Sequence, residues 1–151
     1  MKYIDSSAFV KYYSAEKGSD KVNVIIDKAK DGKEKLLSSI LLIGEVISAF
    51  DKMFRQKLIT KEELMISVKD FINDINELTE RNSIILEDID SMDMTFAVDY
   101  IVNHHLTVND ALHLYAALVN KKKIERFVSS DRNLNNAAKK EGLNVFNHEE
   151  E

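Results

Sequence analysis

Met1-Lys2-Tyr3-Ile4-Asp5-Ser6-Ser7 opens the chain, and this passage decides the fold class. Met1 to Asp5 reads as a short strand closed by Asp5, and Ser6 or Ser7 then supplies a helix cap. A strand followed by a helix appears again downstream, without any repeat of sequence. Lys35 to Ile40 is a second short strand, and from Leu41 to Leu58 the residues Leu42, Val46, Ala49, Phe50 and Met53 follow at helical spacing. Between the two strands, Val22, Val24, Ile25, Ile26 and Ala29 mark a helix ending near Asp31-Gly32. Thr60 to Thr79 carries a single apolar stripe of Leu64, Val68, Phe71, Ile72, Ile75 and Leu78. Ser83 to Leu86 is strand-like and Asp93 to His104 helical. Val108 to Val119 is apolar nearly all round, which predicts a helix covered on most sides. Phe127 to Ser130 forms a strand ending at Asp131, followed by a helix over Asn133–Glu141 and a last strand over Leu143–Phe146. Short strands alternating with helices predict an α/β sandwich around a mainly parallel sheet.

The 151 residues fit one domain, and no proline or Gly/Ser-rich linker divides them. With 44% apolar and 31% charged residues, the composition excludes disordered and fibrous chains. Cysteine is absent, which removes disulfides, thiolate zinc sites, iron–sulfur clusters and cysteine nucleophiles. No apolar run approaches the ~20 residues of a membrane span, and no basic-then-apolar leader is present, so the expected location is cytoplasmic. The formal charge of −5 argues against a protein that coats nucleic acid through its phosphates. It leaves room for an enzyme that meets a phosphodiester through a divalent cation. The lysine runs at Lys28, Lys30, Lys33 and Lys35, and at Lys121, Lys122 and Lys123, read as solvated helix ends or turns.

In open parallel sheets the ligand crevice lies beyond the carboxyl ends of the strands. Asp5 and Asp131 each end a strand, Glu45 lies about one turn into the helix after the second strand, and Asp110 opens the most apolar helix. Helical arithmetic puts Glu45 at the border of the apolar stripe, beside Leu42 and Ala49. Taken singly, each acid has a plainer reading. Asp5 and Asp131 can cap helices, Thr107 to Asp110 resembles a capping arrangement, and Glu45 can pair with Lys52 or a neighbouring helix. Taken together they predict a cation site. Two carboxylates about 6 Å apart repel by roughly 3 kcal/mol at an effective dielectric near 20. Hard oxygen donors without histidine or cysteine suit Mg²⁺ or Mn²⁺.

Four segments carry a family resemblance: Tyr3 to Val10, Leu37 to Val46, Leu106 to Leu118, and Phe127 to Asp131. In this order and spacing the chain resembles the PIN-domain family, in particular its VapC-like toxin ribonucleases of toxin–antitoxin pairs. The resemblance implies a three-layer α/β/α sandwich and a Mg²⁺- or Mn²⁺-dependent endoribonuclease leaving a 5′-phosphate and a 3′-hydroxyl. It maps the acidic quartet onto Asp5, Glu45, Asp110 and Asp131, as metal ligands and catalytic groups. It matches the family's small hydroxyl residue to Ser7, or else Ser6, and sets Asn133 where some relatives place a further polar residue. It implies an RNA substrate, a cognate antitoxin and a homodimer as partners.

Other residues read plainly. His113 shares a helix face with Asp110 but reads as a packed histidine, His104 and His105 as a helix end, and Lys11, Tyr12 and Tyr13 as packing groups before RNA-stacking ones. Ser38, Ser39, Ser129 and Ser130 have no evident base partner, and no nucleophile elbow is present. Dehalogenase-type, receiver, P-loop and Rossmann readings fail for want of paired acids or a glycine-rich loop. The remaining rival is a catalytically silent PIN-like module that binds RNA or protein.

Overall fold

The computed structural model describes residues 1–150. Its centre is a five-stranded sheet of β1 (Lys2–Ile4), β2 (Leu36–Ser39), β3 (Ile84–Glu87), β4 (Arg126–Val128) and β5 (Val145–Phe146). The strands are all parallel, in the order β3-β2-β1-β4-β5. Parallel strands need crossovers, and helices supply them. They are α1 (Ser6–Val10), α2 (Ser19–Lys30), α3 (Leu41–Arg55), α4 (Lys61–Glu80), α5 (Ser91–His104), α6 (Val108–Val119) and α7 (Arg132–Lys140). A 3-10 turn over Lys11–Tyr13 extends α1.

Successive strand residues point to opposite faces, so each strand feeds two cores. Ile4, Leu36, Ile84 and Val128 face the layer of α1 to α4, where Phe9, Ile26, Leu42, Phe50 and Phe71 are buried. Tyr3, Leu37 and Phe127 face the layer of α5 to α7, packed on Leu114, Ala117 and Leu134. This is the expected α/β/α layering, with a sheet that is wholly rather than mainly parallel. The strands are shorter than their apolar runs suggest. β5 holds two residues, and Asp5 and Ser129 lie outside the strands they follow. The helix over Val108–Val119 has its predicted bounds; Ala111, Leu112, His113, Leu114 and Ala117 are buried, while Val108 and Val119 at its ends are exposed.

The first helix is capped by neither Ser6 nor Ser7. Asp5 is the N-cap: its backbone is extended and its Oδ1 accepts from the Ala8 N–H at 3.0 Å. Lys11 and Tyr13 are structural. The Tyr13 ring meets Phe50 and Phe71 edge-on and its hydroxyl donates to Asp74, while Lys11 pairs with Glu16 and Glu149.

Candidate active site

Strand order reverses direction at β1, which has β2 on one side and β4 on the other, so the carboxyl ends of β1 and β4 form the switch point at which open parallel sheets place their ligand crevice. Asp5 leaves β1 at that point. It is 3% exposed and its carboxylate is held by three donors. Oδ1 accepts from the Ser7 hydroxyl at 2.7 Å and from Ala8 N–H; Oδ2 accepts from the Ser129 hydroxyl at 2.6 Å. Burial raises the Asp5 carboxyl above its ordinary value, and the hydrogen bonds from Ser129 and Ser7 and the charge of His113 only partly counter this.

Ser7 and Ser129 join the two strand ends. The Ser7 oxygen accepts from Ser130 N–H at 3.0 Å, and the Ser129 oxygen accepts from Asp131 N–H at 3.0 Å. Asp131 in turn caps α7, with Oδ1 accepting from Leu134 N–H at 2.7 Å. The capping reading of Asp5 and Asp131 and their place at the crevice therefore hold together. A cap uses one carboxylate oxygen, and in Asp5 the second accepts from Ser129.

Glu45 stands on the first turns of α3, and its carboxylate, 19% exposed, meets His113 Nε2 at 2.7 Å. His113, 2% exposed on α6, has its other nitrogen, Nδ1, 2.8 Å from the Tyr3 hydroxyl. That hydroxyl also accepts from Ser39 N–H at 3.1 Å, so it links the end of β2 to His113. An ionised carboxylate only accepts, so Nε2–H donates to Glu45. Burial pushes the Glu45 carboxyl up, but His113, helped by Ser6 and Asn109, outweighs burial and leaves it below its usual range.

Asp110 lies in the first turn of α6, whose N-cap is Thr107: the Thr107 hydroxyl accepts from Asp110 N–H at 3.2 Å. Its carboxyl is raised, first by burial and then by the charges of Asp131 and Glu45, against the opposing pull of Thr107 and His113. Asp110 thus shares a field with Asp131, Glu45 and His113, and His113 also acts on Asp5. The histidine read as a packing residue is the common neighbour of three acids.

Asn133 is exposed, whereas Asn135, two residues on, is buried and donates from Nδ2 to the Ser129 carbonyl at 3.0 Å. Ser129, Tyr3, His113 and Asn135 are the site residues that sequence reasoning passed over. Their partners are far away in the chain, 124 positions for Ser129 with Asp5 and 110 for Tyr3 with His113.

The donor set suits a hard cation in one respect and limits it in another. Its carboxylates are hard oxygen donors in mutual repulsion, the condition a divalent ion relieves. Yet among the described residues no three acidic or histidine side chains form a ready cage. Mg²⁺ fits such a set, because it keeps several waters and takes one or two carboxylates directly.

A search of curated proteins finds no match to the chain. Among solved structures, it is similar to the crystal structure of PAE2754 from Pyrobaculum aerophilum. The TM-score is 0.56 at 19% identity, covering 95% of this chain and 89% of that one, a likeness of fold. The family model of the PIN domain matches residues 2–140, nearly the full length, and so spans every acid of the crevice. The chain therefore belongs to the PIN domain family, whose members are generally nucleases.

Proposed function

We propose that this protein is a Mg²⁺- or Mn²⁺-dependent endoribonuclease. The observation that carries the reading is the shared field of Asp110, Asp131 and Glu45 at the carboxyl end of the sheet, beside the buried Asp5. Structural requirements alone rarely gather repelling carboxylates. A bound divalent ion would neutralise a phosphate oxygen and activate a water for in-line attack. Asp5, Asp110 and Asp131 would hold it, directly or through water. Asp5 is fixed for this by Ser7 and Ser129, which occupy three of its hydrogen-bonding positions together with Ala8. Glu45 stays charged at neutral pH under the hold of His113, ready to orient the attacking water or accept its proton.

The same reading makes the chain the toxin of a toxin–antitoxin pair, cytoplasmic and dimeric. The apolar side chains that α5 exposes, Met92, Phe96, Val98 and Val102, support a protein partner on that helix. No described helix is long and apolar enough to cross a membrane.

Cleavage of a mixed RNA pool with Mg²⁺, with EDTA, and by Asp5→Asn tests the proposal. Cleavage is expected in the first case alone. EDTA-resistant cleavage, or full turnover by a folded Asp5→Asn protein, would refute the metal mechanism. Specific RNA binding without any cleavage would instead favour a silent binding module.

A further inference from the structure

A groove of about 510 Å³ runs from Glu45 along α3, walled on its other side by Ser6 and Asn109. Gly44, Glu45, Ser48, Ala49, Lys52 and Arg55 line it from α3, in spacings that keep to one helix face. At 1.5 Å per residue, Lys52 lies about 10 Å along the axis from Glu45, and Arg55 about 15 Å. Both are exposed. Arg55 holds Asp51 through Nε at 2.8 Å, which leaves its terminal amino groups free to bind another anion. Among the described residues Lys52 forms no ion pair.

The groove floor is low. Gly44 sits inside a helix, where glycine costs about 1 kcal/mol relative to alanine. A Cβ at that position would meet nothing within 4 Å, so internal packing does not call for glycine. The residue keeps the surface next to Glu45 clear for something that lies along it.

Charge says what that is. The chain carries a net −5, and the crevice acids repel a polyanion. Affinity for one must come from cations set away from the scissile point. The two lysine clusters of the sequence cannot supply it, because Lys33 and Lys35 precede β2, and Lys121 to Lys123 precede β4, at the opposite end of the sheet. Lys52 and Arg55 share a groove with Glu45.

We propose that this groove seats the backbone of single-stranded RNA beside the cleaved bond, with Lys52 and Arg55 each holding one phosphate. The proposal rests on the ribonuclease reading and assigns it a substrate path. Small side chains suit an extended strand, whose sugar and phosphate groups approach α3 closely.

The test is fluorescence anisotropy of a labelled single-stranded oligoribonucleotide with Mg²⁺, in an Asp5→Asn background so that it stays intact, at salt from 50 to 200 mM. Lys52→Gln with Arg55→Gln is compared with Lys122→Gln with Lys123→Gln, which removes the same charge elsewhere. The groove pair should weaken binding about tenfold and flatten the slope of log affinity against log salt by about 1.4, at about 0.7 per phosphate on a single strand. The distant pair should change affinity less than about twofold. Equal losses in both pairs, an unchanged groove pair, or no measurable RNA binding would overturn the proposal. KM for cleavage separates the two claims. If the enzyme cleaves and the groove pair leaves KM unaltered, the groove is wrong and the ribonuclease stands. If the groove pair loses RNA but the parent never cleaves, the groove stands and the ribonuclease is wrong.

Discussion

Replacing Tyr3 by phenylalanine isolates the buried chain from Ser39 through Tyr3 and His113 to Glu45. The ring is fully buried and stacks on Phe127 at 5.2 Å between centroids, so Phe fits the same space and only the hydroxyl is lost. Two partners are then stranded away from water: Ser39 N–H, which donated at 3.1 Å, and His113 Nδ1, which lay 2.8 Å from the hydroxyl. Each such orphan costs about 1–3 kcal/mol. Some relaxation is expected, so the total should be about 2–4 kcal/mol. For a chain of 151 residues this lowers Tm by roughly 4–16 °C, at about 2–4 °C per kcal/mol. A functional loss should accompany it. Without the hydroxyl, His113 is no longer held with Nε2–H toward Glu45, and the carboxylate loses its fixed position. We expect kcat to fall by about tenfold while KM moves little, because the change acts on a water-orienting group and leaves the RNA path intact. Calorimetry and steady-state cleavage below the lowered Tm check both halves. A Tm within 1 °C of the parent would refute the buried hydrogen-bond chain; a normal Tm loss with unchanged kcat would refute the role given to Glu45.

Two other perturbations follow from the same electrostatics. Asp110→Asn removes a charge that Asp131 and Glu45 oppose, so in EDTA the variant should melt above the parent, and its Tm gain on adding 10 mM Mg²⁺ should be less than half the parent's; an undiminished gain would place the ion elsewhere. His148 is fully buried, both ring nitrogens lack partners, and burial with the nearby charges of Lys11 and Lys21 depresses it to about 4, with Glu149 alone pulling upward. The unfolded chain therefore binds a proton near pH 6.5 that the folded one refuses until about pH 4. The stability contributed by neutral His148 is complete above that window and lost as pH falls through it, by up to ~1.4 kcal/mol per pH unit. Urea unfolding of the parent and of His148→Leu from pH 7 to 4.5 should diverge in slope, and parallel curves would refute the assignment.

How much of this was legible in the sequence depends on the range of the interaction. Local signals sufficed where capping and periodicity act within one turn. Thr107 before an apolar run marks the start of α6, and the Leu41 helix begins where β2 ends. The failures share a cause. Ser6 and Ser7 look like caps because serine caps helices, but an aspartate one residue earlier reaches the same N–H, and this frees Ser7 to bind Asp5 and Ser130. His113 looks like packing because its own helix is apolar, and nothing within a turn reveals partners 68 and 110 positions away. Asn133 and Asn135 are indistinguishable as neighbouring polar residues until α7 docks and turns Asn135 inward onto Ser129.

The acids of the crevice also differ in what holds them, and this bears on how the fold tolerates them. Asp5 receives three donors and Glu45 a histidine locked by a tyrosine, so each is anchored by the protein itself. Asp131 spends one oxygen on its helix cap. Asp110 is raised by burial and then by Asp131 and Glu45, beyond what Thr107 and His113 offset. An apo protein with four uncompensated carboxylates would lose much of the 5–15 kcal/mol that a domain has to spare. By distributing donors unevenly, the fold anchors Asp5 and Glu45 itself and leaves Asp110 facing the charges of Asp131 and Glu45. On the proposed metal-dependent reading, a cation would meet carboxylates already oriented, and its binding would go into relieving Asp110. The donors that make this possible come from α1, α6 and the turn after β4, which is why the Ser129 and His113 contacts, though invisible to local reading, matter as much to the site as the acids they hold.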